Sequence, residues 1–355
     1  MRSHKKRLYT RTMFWYTEQK EEEMKLIMEK CPTDMCHAST LLKLDDEKFL
    51  IAWFGGTKEG NEDVAIWIAR GNEDYFEKPA ILAQSDEAHW NPVLFRINES
   101  KIIIFYKVGN EISKWRTMYR ISEDNGESFG EEKELVKDDF GGRGPVRNKP
   151  IRLASGRILA PGSTESGIWK AFTDCSDDDG VTWKKSSEVE IRQLEYIEGE
   201  RTVDKKDSSI PVSEQSFYGR GVIQPTLWES NPDEVHMLLR STEGKIYRSD
   251  SQDGGRTWTD AYATELPNNN SGIDMIRAEN GRLFLVYNPI GVNWGERTPI
   301  SLAVSKDGGE SWEKLRDLSS GDGEFAYPAI IQDEEFIYIT YTYKRKNIAF
   351  WKIKK

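Results

Sequence analysis

The chain has 355 residues, of which 37% are hydrophobic and 31% charged. That composition fits a folded globular protein and argues against disorder, and no apolar run approaches the roughly 18–20 residues of a membrane-spanning helix. A formal net charge of -10 makes nucleic acid and other polyanions poor partners.

Taken in chain order, residues 1–11 are basic, and Phe14, Trp15 and Tyr16 give way at once to Glu18 and to glutamates at 21–23. No secretory leader is predicted. Residues 1–23 are read as an N-terminal extension and 24–355 as a single domain. Residues 18–30 have a helical composition, yet 25–28 serve equally as a strand able to pair with the last strands, 338–353. Short β-rich runs then recur at 48–53, 101–106, 157–160, 234–239, 282–287 and 336–341, most of them introduced by a polar turn. Between them lies one long polar insert, 188–213, read as an extended loop. Three cysteines, Cys31, Cys36 and Cys175, cannot build a disulfide framework, and the odd count favours reduced thiols and a cytoplasmic setting.

One pattern occurs four times: Ser-x-Asp-x-Gly-x-x-aromatic. The copies are Ser122-Asp124-Gly126-Phe129, Ser176-Asp178-Gly180-Trp183, Ser251-Asp253-Gly255-Trp258 and Ser305-Asp307-Gly309-Trp312. Their serines are 54, 75 and 54 residues apart, and a degenerate copy lies near Gly71–Phe76. The Asp and Gly suit a tight turn, where a carboxylate bonds nearby backbone and Gly accepts positive φ. The aromatic then plugs the turn against its own sheet. One small antiparallel unit per 50–75 residues predicts about six units, and four-stranded blades arranged radially satisfy that count.

This pattern is the Asp-box, and the chain resembles the Asp-box (BNR-repeat) sialidase-like family over about residues 30–350. Segments including His37-Ala38-Ser39-Thr40, Trp90-Asn91-Pro92, Asn148-Lys149-Pro150, Ile223-Gln224-Pro225 and Tyr327-Pro328 are similar to its exo-α-sialidase-like subgroup. The resemblance implies an all-β, six-bladed propeller. It also implies a site in which arginines grip a carboxylate, a tyrosine is the nucleophile and an acidic residue is the acid/base. On the matching positions the arginines are Arg240 and Arg297, the nucleophile is Tyr327, and the acid lies in the loop carrying Glu59 and Asp63. Two positions depart: His37 stands where the family opens with an arginine, and Gln224 stands near the place of the tyrosine's glutamate partner.

The residues support a related reading of their own. Glycoside cleavage needs two flanking carboxyl groups, or one with a substitute nucleophile. Glu59 and Asp63 lie in or just after a Gly-rich loop, Glu165 follows a strand, and Glu324 precedes Tyr327 by three residues. His37 titrates near neutrality and suits general acid or base work; His89, beside Trp90, is a weaker candidate of the same kind. Lys107, Arg143, Arg147 and Lys149 are candidate anion ligands, Arg143 and Arg147 being presented by a glycine-rich connection. Asn91, Asn148, Gln224, Asn270, Asp274 and Asn288 stand at strand ends, where polar side chains bind sugar hydroxyls or merely cap turns. Trp90, Trp115 and Trp169 are expected to include a sugar platform. The plain alternatives are solvated turns, packed histidine and surface charge. The four histidines show no ligand spacing, so neither metal nor cofactor is expected. The leading expectation is an exo-acting glycoside hydrolase removing a terminal, acidic sugar from an oligosaccharide, with no nucleic acid or membrane partner. The alternatives are a polysaccharide lyase using a His/Tyr pair and a non-catalytic carbohydrate-binding propeller.

Overall fold

The computed structural model describes residues 23–192, 194 and 219–355. Most of the N-terminal extension and most of the 188–213 insert lie outside the described residues.

The fold is all-β and built from antiparallel sets of four strands. The first sheet runs β2 (Met35–Lys43), β3 (Phe49–Gly56), β4 (Ala65–Gly71) and β5 (Ala80–Ala83). The second runs β6 (His89–Arg96), β7 (Ile102–Val108), β8 (Arg116–Ser122) and β9 (Lys133–Glu134). Then come β10 (Ile151–Arg152), β11 (Ile158–Thr164), β12 (Ile168–Ser176) and β13 (Lys184–Lys185), followed by β14 (Arg220–Asn231), β15 (Glu234–Ser241), β16 (Lys245–Ser251) and β17 (Tyr262–Pro267). A short parallel register, Ile168↔Arg220 and Trp169↔Gly221, joins these two sets into one eight-stranded sheet. The next sheet is β18 (Asp274–Arg277), β19 (Leu283–Tyr287), β20 (Ile300–Ser305) and β21 (Glu313–Ser319). The last is β22 (Phe325–Gln332), β23 (Phe336–Tyr343) and β24 (Asn347–Lys354), completed on its outer edge by β1 (Lys25–Leu26). Residues 25–26 are therefore strand and not helix, with Lys25 opposite Phe350 and Leu26 opposite Ala349.

Each Asp-box turn connects the third strand of a set to its fourth, and the turn chemistry is the expected one with the serine added. Ser122 Oγ donates to Asp124 Oδ1 at 2.7 Å and accepts from Gly126 N at 2.8 Å, while Ser128 N donates to the same carboxylate at 2.9 Å. The other three copies repeat these bonds. Trp183, Trp258 and Trp312 each close their turn by donating the indole N–H to the carbonyl of the turn glycine.

The core lies between neighbouring sheets. Leu50, Phe54 and Ile66 meet Trp90, Leu94 and Ile104; Ile51 and Trp53 meet Tyr338 and Phe350; Val286 and Leu302 meet Ile339 and Trp351. Burying each such side chain stabilises by roughly 1.5–3 kcal/mol. The innermost strands pack on one another in succession, β11 on β14, β14 on β18, β18 on β22, β22 on β2 and β2 on β6. Ile158 packs with Val93, Ile103 and Phe105.

These innermost strands carry a second repeat. Pairing is interrupted between His37 and Thr40, Trp90 and Val93, Ile223 and Thr226, and Ala326 and Ala329. At each break a residue other than glycine adopts positive φ: Ala38 at 56°, Asn91 at 44°, Gln224 at 52° and Tyr327 at 54°. Asn270, just before β18, does the same at 58°. Left-handed backbone costs an ordinary residue about 1–2 kcal/mol, so strain recurring at equivalent places marks where the fold holds side chains for a purpose.

Candidate functional site

Tyr327 is the centre of the arrangement. Its half-buried ring is flanked by three guanidiniums, with the central carbons of Arg297, Arg147 and Arg240 at 5.2, 5.5 and 5.6 Å from its centroid. The His37 ring lies against it at 4.2 Å and a 47° tilt. Gly272 packs on another side, and a Cβ there would stand 3.2 Å from Tyr327 Cγ, so a side chain would press on the ring. These groups come from β2, β15, β22 and three connecting segments, brought together by the strained inner strands.

The guanidiniums differ in their partners. Arg147 is buried and donates Nη2 to the backbone carbonyls of Tyr327 and Pro328 at 2.5 and 2.7 Å. Burial lowers its pKa to about 10. Arg240, also buried, donates Nη1 to Tyr327 Oη at 2.6 Å and to Gln224 Oε1 at 3.0 Å, and Nε to Asn270 Oδ1 at 3.0 Å. All three of these partners are neutral. Arg297 donates to Glu324 Oε1 at 2.8 Å. Arg345, on the β23–β24 turn, donates Nε to the same oxygen at 2.9 Å and Nη1 to Glu59 Oε2.

The acids and the imidazole respond to this positive ring. Burial opposes ionisation of Glu324, yet the charges of Arg297 and Arg345 outweigh it and hold the carboxyl down at about 2. Burial raises the pKa of Glu165, the charge of Arg240 opposing the rise and that of Glu59 adding to it. His37 is 1% exposed, with Nδ1 2.8 Å from Thr342 Oγ1 and 3.8 Å from Glu324 Oε1. Burial first, and then the charges of Arg345, Arg297, Arg147 and Arg240, push its pKa well below the ordinary value. The imidazole is therefore neutral at pH 7. Three buried polar atoms around the centre have no hydrogen-bond partner among the described residues: His37 Nε2, Arg147 Nε and Asn270 Nδ2. Buried polar groups are nearly always satisfied, so such a concentration marks a place built to meet a ligand or ordered water.

A cleft of ≈ 450 Å³, lined by residues 295–298 and 321–324, opens beside Arg297 and Glu324. Trp294 stands next to it, 37% exposed and at positive φ, 58°. Asn269 fixes this loop by accepting Trp294 N at its carbonyl, 3.2 Å, and donating Nδ2 to Glu296 O at 2.7 Å.

Of the residues singled out in the sequence, His37, Glu59, Arg147, Glu165, Gln224, Arg240, Asn270, Arg297 and Tyr327 converge on this centre. Asn91 belongs to the same set of strained inner-strand positions. Others are occupied elsewhere. Asp63 accepts Thr57 N and Oγ1 at 2.8 and 2.9 Å and so ties its own loop. Lys107 is buried against Thr117 Oγ1, Gly142 O and Arg143 O, and Arg143 is paired with buried Asp174. Lys149 is held by Asp274 at 2.8 Å. Asn148 donates to Gln224 O and Pro225 O, and Asn288 to Pro299 O and Phe325 O, bracing one inner strand on the next. His89 stacks on Tyr106 and bonds Glu87 O. The tryptophans expected to provide a sugar platform do not: Trp90, Trp115 and Trp169 are at most 4% exposed, their faces taken up by packing. Trp294 has the accessible ring instead. Arg345 escaped the sequence reading because Tyr343-Lys344-Arg345-Lys346 looks like an ordinary basic surface hairpin.

Residues 47–339 match the family model described as a BNR repeat-like domain. No curated protein sequence matches the chain. Among solved structures, a Hadza microbial sialidase superposes with a TM-score of 0.69 at 15% identity, over 91% of this chain and 66% of that one. A Dyadobacter fermentans protein of unknown function gives 0.71 at 14% identity, over 94% of this chain and 98% of that one. A mutant of the NanB sialidase from Streptococcus pneumoniae gives 0.71 at 12% identity, over 93% of this chain and 70% of that one. The chain thus spans just under two thirds of the microbial sialidase it resembles, and at these identities the likeness is one of fold.

Proposed function

We propose that this chain, which belongs to the BNR repeat-like family, is an exo-acting glycoside hydrolase removing a terminal anionic sugar at the hub of a six-bladed β-propeller. The radial reading is supported by the successive packing of the innermost strands and by β1 completing the last sheet. The observation that carries the chemistry is Arg240: a buried guanidinium whose partners are neutral, beside the phenol of Tyr327. A buried cation without a carboxylate partner is costly, and a sugar carboxylate or sulfate placed there with Arg297 nearby offsets that cost.

Roles follow from the surroundings. Glu165, whose burial favours the protonated form, gives its proton to the leaving oxygen as the glycosidic C–O bond breaks. Tyr327 Oη attacks the anomeric carbon and passes its proton to neutral His37, whose ring lies against it. Water then cleaves the glycosyl–tyrosine bond, with Glu165 acting as base and the phenol regaining its proton. Glu324, held ionised by two arginines, balances charge. Trp294 offers its face to the part of the substrate outside the cleft. Three free thiols support the reading of a cytoplasmic protein.

The test is hydrolysis of a panel of anionic and neutral aryl glycosides and oligosaccharides, with release from an anionic member expected. Binding of anionic sugars without release would refute the hydrolase. A second reading is favoured by the His37–Tyr327 contact itself: a base beside a phenol, ringed by arginines, also suits proton abstraction α to a uronate carboxylate. That lyase leaves an unsaturated product absorbing in the ultraviolet, whereas the hydrolase does not.

A further inference from the structure

Arg345 enters the roles just assigned only through Glu324, yet it is the arginine that bonds two carboxylates at the centre. It sits at φ 55° after Lys344 at 53°, a two-residue reversal that brings the chain back toward the hub. Both sides of the turn are fixed, by Lys344 N on Glu324 O at 2.7 Å and by Cys36 N on Arg345 O at 2.9 Å. The guanidinium then spans two carboxylates, Glu59 from the loop after β3 and Glu324 from the segment before β22. Arg297 takes the same Glu324 oxygen, so Glu59, Arg345, Glu324 and Arg297 form one chain of alternating charge. The neighbouring cations of the turn are directed elsewhere. Lys346 donates to Asp34 O at 2.6 Å, and Lys344 lies over the rings of Phe325 and Tyr343.

We propose that Arg345 is a positioning residue of the central site, clasping the Glu59 and Glu324 side chains together beside the ligand so that Glu165 is left as the unclasped carboxyl. The inference rests on the hydrolase reading for its kinetic consequence but not for its electrostatic one. Glu324 lies 3.8 Å from His37 Nδ1, and Arg345 leads the charges opposing protonation of His37, ahead of Arg297, Arg147 and Arg240. One guanidinium thus disposes three titratable groups, and its removal makes protonation of His37 and Glu324 easier.

The experiment compares wild type, Arg345→Met, which removes the charge, and Arg345→Lys, which keeps it. Two readouts are taken: kcat/KM against pH on the best aryl glycoside, and the imidazole titration of His37 in the ligand-free protein by NMR, assigned with a His37→Gln variant. Loss of one charge in this setting is expected to move the acid limb of the rate profile and the His37 titration upward together by about one to two pH units. Arg345→Lys is expected to restore both to within about half a unit. If Arg345→Met does not fold, Arg345→Gln, equally uncharged, carries the same expectation. A rate limb and a His37 titration both unmoved in the uncharged variant would overturn the proposal. If wild type cleaves no glycoside, the hydrolase reading fails separately, and the His37 titration still decides the electrostatic claim.

Discussion

Asp274 offers a sharp test of what its cluster is for. The carboxylate is buried and accepts from Lys149 Nζ at 2.8 Å, Thr226 Oγ1 at 2.9 Å, its neighbour Met275 N at 2.9 Å and Ile330 N at 2.9 Å. It therefore ties the connection before β10 to strands β14, β18 and β22 with its two oxygens. Asp274→Ala leaves the Lys149 ammonium, Thr226 Oγ1 and Ile330 N without this acceptor, while Met275 N keeps Thr226 Oγ1 at 3.1 Å. Breaking a buried pair costs about 3–5 kcal/mol. Lys149 remains 21% exposed, so water recovers part of that, and the stranded hydroxyl and amide each add about 1 kcal/mol. The net expectation is a loss of about 4 kcal/mol. Unfolding entropy near 2.1 cal/mol/K per residue makes that a fall in Tm of about 5 °C for a chain of this length. Thermal and urea unfolding of wild type, Asp274→Ala and Asp274→Leu/Lys149→Met measure it, with the double variant regaining over half the loss. A shift below about 1 °C in Asp274→Ala would show that the brace carries little of the fold's stability.

Tyr327→Phe removes the oxygen that Arg240 meets at 2.6 Å; turnover should fall by at least about 100-fold, with sugar binding measured by calorimetry retained. His37 has a folded pKa depressed below its unfolded value, so the unfolded chain binds the extra proton first. Stability should fall as pH drops below about 6.5, and His37→Gln should flatten that part of the unfolding profile. Trp294→Ala should raise KM for oligosaccharides by about three- to tenfold, the loss of a stacking contact worth about 1 kcal/mol, while leaving Tm and the KM of small aryl glycosides unchanged.

Much of the fold was legible because its turns are chemically loud. A serine, an aspartate, a glycine and an aromatic residue at set spacing leave few other uses, and all four copies share the bond from the glycine N–H to the serine hydroxyl. The edge strand at residues 25–26 was legible only as one of two options, since two residues of pairing carry no periodicity. In the site, residues beside prolines in the inner strands were found because their segments resemble those of the Asp-box family and stand at strand ends. Their individual duties were not. Whether Trp90 faces solvent or Trp115 depends on packing within its own sheet, and whether Asp274 meets a sugar or Lys149 depends on contacts between segments far apart in the chain. Arg345 was missed for the same reason, its partners lying 286 and 21 residues away.

The most direct measurement is a crystal structure of the protein soaked with an anionic monosaccharide and, in parallel, its neutral counterpart. The account predicts that only the anionic sugar binds, its acidic group in hydrogen-bond reach of Arg240 or Arg297 and its anomeric carbon facing Tyr327 Oη. Equal occupancy by the neutral sugar, or an anionic sugar seated away from Tyr327, would contradict it.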